Sequence, residues 1–134
     1  MGRATAVLFA REGASVAVTD VNEQDGRETV RMIAEAGGKA QFWTLNVARE
    51  QEVATVFADI EGVFGHIDIL VNNAGVTGVD KPTHEVTEQE WDAVFAVDVK
   101  GVFFCTKYAV PAMLRAGKGS IVNMSSIYGL VGSH

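Results

Sequence analysis

An α/β fold, with helices on both faces of one parallel sheet, is predicted by three observations. Helical and strand-like periodicities alternate along the chain in the order α-β-α-β-α-β-α-β. Alternation of that kind needs crossover connections, which make consecutive strands parallel and cover both faces with helices. Glycines or polar turn residues punctuate the series, and no internal repeat or low-complexity segment interrupts it. The strands also end in acids, amides or hydroxyls, so one edge of the sheet collects polar groups.

The opening segment carries Ala4, Val7 and Leu8 at helical spacing with no breaker, which predicts a helix over 2–12 ending at Gly13. Ser15-Val16-Ala17-Val18-Thr19-Asp20 is a short strand closed by an acid. Asn22 is placed to cap the next helix, over 23–36, which Gly37-Gly38 stops. A strand over 40–45 ends at Asn46-Val47, and a helix over 50–64 ends at Gly65. Ile67-Asp68-Ile69-Leu70-Val71 is apolar save for one acid, the pattern of a buried parallel strand. Its apolar character stops at Asn72-Asn73-Ala74-Gly75. The two amides offer donors and acceptors without net charge. The small residues after them let a ligand approach the backbone, although Asn and Gly are also ordinary turn residues.

Residues 76–86 form a loop containing Gly78 and Pro82. Thr87-Glu88-Gln89-Glu90 is a capping box, Thr87 capping the helix and Glu90 reaching back. A long helix follows over 88–116, with Trp91, Phe95, Val102, Ala109 and Met113 on its apolar stripe. Gly101 and Pro111 lie inside it, and a bend is expected near Pro111. Gly117-Lys118-Gly119 turns into a strand over 120–124, with Ser125-Ser126 at its end.

The 134 residues, 48% hydrophobic and 21% charged, suffice for one domain with a real core. A net charge of −6 with no basic run argues against nucleic acid as a partner. The single cysteine, Cys105, leaves no internal disulfide and reads as a small core residue. His66, His84 and His134 show no ligand spacing, so no metal site is expected. No apolar run approaches the roughly 20 residues that span a bilayer, and no signal peptide is visible. A cytoplasmic protein with no membrane partner is expected.

Four polar strand ends, at Asp20, Asn46-Val47, Asn72 to Gly75 and Ser125-Ser126, describe a crevice at the carboxyl edge of the sheet. An acid in the place of Asp20 accepts hydrogen bonds from ribose hydroxyls in dinucleotide-binding units and repels a 2′-phosphate. Val21 and Asn22 supply no cation to hold that phosphate; the plainer reading is a solvent-facing loop acid. Asp98 falls on the Trp91–Phe95–Val102 face, so it is expected among apolar neighbours. It reads either as a functional acid or as one bonded to a nearby backbone donor. Ser126 either donates to a substrate oxygen or caps a strand end. Tyr128 has no lysine close by in sequence and reads as packing.

Together these residues resemble the short-chain dehydrogenase/reductase family. Asn72-Asn73-Ala74-Gly75 matches its NNAG motif, and Gly119 to Ser126, GSIVNMSS, looks like its catalytic-serine strand. Gly2-Arg3-Ala4 looks like the tail of its glycine-rich turn, with Gly2 as the last glycine. The resemblance covers residues 1–134 as part of an NAD(P)-binding domain. It implies a Rossmann-like doubly wound parallel sheet and NAD-dependent hydride transfer between an alcohol and a ketone. On that resemblance Gly2 belongs to the cofactor cradle and Asp20 selects NAD over NADP. Asn46 and Val47 flank the adenine, while Asn73, Ala74 and Gly75 lie along the nicotinamide-side ribose. Ser126 polarises the substrate oxygen, and Asp98 stands where the family has a helix Asn in its proton relay. The helix over 88–116 pairs with its mate in a second subunit, which implies a homo-oligomer.

The resemblance also implies elements outside this sequence. The family's first strand and most of its glycine turn would precede Met1, and its catalytic Tyr and Lys would follow His134. The chain therefore reads as an internal fragment, its sheet incomplete where that first strand would lie, and inactive by itself. The alternative is a non-catalytic remnant or pseudoenzyme that binds nucleotide weakly or pairs with other chains.

Overall fold

The computed structural model describes residues 1–131, apart from the side chain of Tyr128. His134 and the packing expected of Tyr128 lie outside the described residues. Helix α1 spans Gly2–Arg11 and is followed by strand β1, Ser15–Asp20. The turn between them passes through Gly13 at φ 93°, a conformation that side chains disfavour. Helix α2, Glu23–Glu35, starts at Asn22, whose side chain accepts the Asp25 N–H at 3.1 Å. Strand β2, Lys39–Thr44, precedes helix α3, Glu50–Phe64, which ends at Gly65 in the left-handed conformation.

Strand β3 is Ile69–Asn72 and strand β4 is Ser120–Asn123. Ile67 and Asp68, predicted as strand, precede β3 instead, and the strand runs on into Asn72. β1 pairs parallel with β2, from Ser15 opposite Lys39 to Asp20 opposite Thr44. β3 pairs parallel with β4, from Ile69 opposite Ser120 to Asn72 opposite Asn123. The strands thus form two parallel pairs, not one continuous sheet. The expected gap lies here, and among the described residues each strand has a ladder partner on one side alone.

Helices cover both faces of the first pair, and β2 shows why. Consecutive strand residues point to opposite faces. Phe42 packs on α2, where Gly26 leaves no room for a Cβ beside its ring. Trp43 turns the other way, meets Phe64 edge-on with centroids 5.9 Å apart, and joins the main core. That core sets Val53, Val56, Phe57 and Ile60 of α3 with Leu45 against Cys105, Ala109 and Met113. Burial removes apolar surface from water at about 25 cal/mol per Å². At the rim of this core, Glu50 takes Lys107 Nζ at 2.6 Å and the Tyr108 hydroxyl at 3.2 Å.

The long helix departs from its expected form. The capping box is present, with the Glu90 N–H on Thr87 Oγ1 at 3.2 Å and the Thr87 N–H on Glu90 Oε2 at 2.9 Å. Helix α4 then covers Glu88–Phe95, a π turn covers Ala96–Gly101, and helix α5 covers Val102–Ala116. The irregularity therefore sits at the π turn, whereas α5 runs on through the exposed Pro111. A π turn inserts one extra residue into the helix and shifts the phase of side chains on either side of it. Ala109 and Met113 are buried as their spacing predicts. Trp91 and Phe95 depart from the expected stripe: they are 55% and 39% exposed, their rings stacked with centroids 4.5 Å apart.

Candidate functional site

Parallel pairing places the carboxyl ends of each pair on one edge, with Asp20 beside Thr44 and Asn72 beside Asn123. Asp20 Oδ1 accepts the Asn22 N–H at 2.9 Å, an Asx turn leading into α2. Asn22 Nδ2 donates to Asp25 Oδ2 at 2.8 Å. Asp25 Oδ1 takes the Arg3 guanidinium at 3.0 Å, and Arg3 Nε donates to Thr29 Oγ1 at 3.1 Å. A chain of hydrogen bonds therefore runs from the end of β1 to the second residue of α1.

Gly2, the first residue of α1, meets the segment after β3. A Cβ on Gly2 would lie 2.8 Å from Asn73 Nδ2, so the amide can stand this close to the helix start because residue 2 has no side chain to displace it. The first amides of a helix have no intrahelical acceptor, and Met1 caps α1 with no side-chain hydrogen bond. Donors from the helix start and from Asn73 thus stand together, an arrangement suited to an anionic group.

Beyond Asn73, the exposed Ala74 and Gly75 lead to Val76, whose N–H donates to Asp98 Oδ1 at 2.9 Å. A Cβ on Gly75 would stand 3.6 Å from the same oxygen. Asp98 is exposed, and the expectation of apolar surroundings is corrected: it lies within the π turn, which breaks the spacing that expectation relied on. The backbone-donor reading describes its contact.

Val47 closes on the same turn from the other side. A Cβ on Gly101 would fall 2.7 Å from Val47 Cγ2. Asn46 holds its own loop, accepting the Ala48 N–H on Oδ1 at 3.0 Å and donating its N–H to Glu52 Oε2 at 3.1 Å. Arg49 and that N–H hold the Glu52 carboxyl below the usual carboxylate range. The loops after β2 and β3 are therefore gathered by one segment, Ala96–Gly101.

The structure thus brings Gly2 to Asn73, Gly75 to Asp98 and Val47 to Gly101, and links Asp20 to α1 through Asn22, Asp25 and Arg3. Ser126 is exposed, three residues beyond Asn123 at the end of β4. Burial pushes the Cys105 thiol up to about 11, so it stays protonated and is no nucleophile at neutral pH. An open cavity of about 390 Å³ between Thr83, Val86, Thr87, Glu88 and Trp91 includes none of the site residues. Beside it Lys81 fastens the 76–86 loop to Glu90. Lys81 first, then the Thr87 N–H and hydroxyl, pull Glu90 down to about 2.

Two features escaped the sequence reading. Asn72 is 7% exposed, and its Nδ2 donates to Asn123 Oδ1 at 2.8 Å and to Thr106 Oγ1 at 3.4 Å. The signal was available, since adjacent strand residues face opposite ways and Asn72 and Asn73 cannot share a face. The Arg3–Asp25–Thr29 cluster joins residues more than twenty positions apart and had no local signal.

The short chain dehydrogenase family model matches residues 1–134. The chain is 42% identical over 133 residues to a cyclopentanol dehydrogenase of Comamonas testosteroni, covering 99% of this chain and 53% of that protein. It is 39% identical over 133 residues to the 3-oxoacyl-[acyl-carrier-protein] reductase FabG of Thermotoga maritima, covering 99% of this chain and 54% of that protein. The crystal structure of a metagenomic short-chain oxidoreductase in complex with NADP superposes with a TM-score of 0.94 at 32% identity, covering 98% of this chain and 60% of that one. The chain spans about half the length of the curated relatives it matches.

Proposed function

The chain belongs to the short-chain dehydrogenase family, and from that premise we propose that residues 1–134 form part of an NAD-binding domain of an alcohol–ketone oxidoreductase. The observation that carries this reading is the approach of Gly2 to the Asn73 amide. It supports a cradle in which helix-start donors and an uncharged amide receive a dinucleotide. In this reading Gly2 lies against the pyrophosphate, Asp20 bonds the adenosine ribose, and Asn46 and Val47 flank the adenine. Asn73, Ala74 and Gly75 lie along the ribose at the nicotinamide end. NAD, when bound, supplies the hydride acceptor. Ser126 holds the substrate oxygen by a hydrogen bond. Asp98, whose contact with the Val76 N–H fixes the segment after Gly75, keeps a proton path beside it.

Asp20 supports NAD over NADP, because a 2′-phosphate would meet its carboxylate. The relatives named for cyclopentanol and cyclohexanol oxidation favour a small secondary alcohol or its ketone as the substrate. The acidic composition argues against nucleic acid, and among the described residues no helix is long and apolar enough to cross a membrane. A cytoplasmic location fits a single cysteine that is buried and unpaired. We further assign a homo-oligomeric state, supported by Trp91, Phe95, Val99 and Phe103, exposed at four-residue intervals along α4, the π turn and α5.

Backbone-amide chemical shifts followed during NAD titration test the cofactor reading. Shifts centred on Gly2, Asp20, Val47 and Asn73 to Gly75 are expected, and shifts confined elsewhere would refute the cradle. The second reading is a non-catalytic chain that binds nucleotide weakly or pairs with other chains. Turnover of cyclopentanol with NAD by the purified chain would eliminate it.

A further inference from the structure

We propose that Asp25 is a positioning residue for cofactor selection: by holding the Arg3 guanidinium, it keeps a cation away from the ribose hydroxyls bonded by Asp20. The inference rests on the reading of Asp20 as the ribose-binding acid. Discrimination between NAD and NADP turns on whether the 2′ position meets an acceptor or a cation. Asp20 supplies the acceptor. Arg3 is a cation that the hydrogen-bond chain brings to the Asp20 loop. The steps from guanidinium to Asp25, from Asp25 to Asn22 and from Asn22 to Asp20 measure 3.0, 2.8 and 2.9 Å.

Arg3 is fixed at both ends of its guanidinium, by Asp25 Oδ1 and by Thr29 Oγ1. Its side chain is nevertheless 44% exposed, so no packed shell prevents it from turning once Asp25 is removed. A released guanidinium is the group best shaped to bind a phosphate through two parallel N–H bonds. Arg27, two residues beyond Asp25, is occupied in the same way by Glu23 at 2.7 Å. The start of α2 therefore carries acids that hold the local arginines as ion pairs, and that leave Asp20 to act on the ribose as a carboxylate without an opposing cation.

Calorimetric titration of the chain with NAD and with NADP tests this in the wild type, Asp25→Ala and Arg3→Gln/Asp25→Ala. The readout is the ratio of the two affinities, which general loosening of the fold leaves unmoved. The wild type should favour NAD. Asp25→Ala should shift the ratio toward NADP by about tenfold, the lower range for one charge-assisted hydrogen bond. The double variant should lose most of that shift. A shift that persists without Arg3 would show simple relief of repulsion by Asp25 and overturn the clamp. An unchanged ratio in Asp25→Ala would also overturn it while leaving Asp20 in its role. A wild type that favours NADP, or binds neither dinucleotide, overturns the reading of Asp20 and the clamp with it.

Discussion

Gly101→Ala should destabilise the protein even though alanine is the better helix former. In an open helix the change stabilises by about 1 kcal/mol, through backbone entropy and propensity. Gly62 in α3 is such a position, with nothing within 4 Å of an added Cβ. At Gly101 the new methyl would lie 2.7 Å from Val47 Cγ2 and 3.1 Å from Val47 Cβ. Both distances fall inside the ~3.5–4.0 Å of ordinary carbon contact. Rotating the valine about χ1 moves Cγ2 but leaves Cβ in place, so the 46–48 backbone must yield. That backbone is held by the two hydrogen bonds of Asn46. Overpacking of this kind costs about 1–3 kcal/mol. Against a propensity gain of about 1 kcal/mol, the net loss is about 0–2 kcal/mol. Urea unfolding followed by Trp43 fluorescence reads it, since Trp43 packs on Phe64 in the core. Gly62→Ala should raise the midpoint and Gly101→Ala should lower it. Val47→Ala in the Gly101→Ala background should recover part of the loss, with a coupling of about 1 kcal/mol. Equal stabilisation by both alanines would refute the close approach of the π turn to Val47.

Asn72→Ala should cost about 0.5–1.5 kcal/mol in the same assay, because the buried Asn72 amide loses its hydrogen bonds to Asn123 and Thr106. Asn73→Ala, at an exposed position, should stay within about 0.5 kcal/mol, and equal losses would contradict the opposed facing of the two amides. Glu90 should couple the start of α4 to pH. Its folded value of about 2 lies below the roughly 4.3 of an unfolded glutamate, so its contribution is complete above that value and is lost as pH falls through about 2. The Thr87 amide resonance should report that loss, and a transition centred near pH 4.3 would rule out the Lys81 and Thr87 contacts. Sedimentation velocity at micromolar concentration should show self-association that Phe103→Ser weakens, since Phe103 is 59% exposed on the apolar ridge; a monomer throughout would remove the ridge as an interface.

The order of elements was legible in the sequence because each is set by local chemistry. Asn22, Gly65 and the Thr87–Glu90 box mark helix ends through hydrogen bonds and backbone angles that involve only neighbouring residues. The strand ends were legible for the same reason, since a change from apolar to polar residues needs no distant partner to be seen. The π turn was not. It ends at Gly101, packed on Val47, which lies more than fifty residues away and on another element. Asp98 was accordingly assigned a helical phase that it does not have. Tertiary structure alone also put Gly2 against Asn73 and Arg3 on Asp25, because residues so far apart in sequence meet only after α1 and α2 have docked on the strands. Asn72 stood between these cases. Its period along β3 was readable, but its partners Asn123 and Thr106 come from β4 and α5, and strand pairing and helix packing decide which side of a strand is buried.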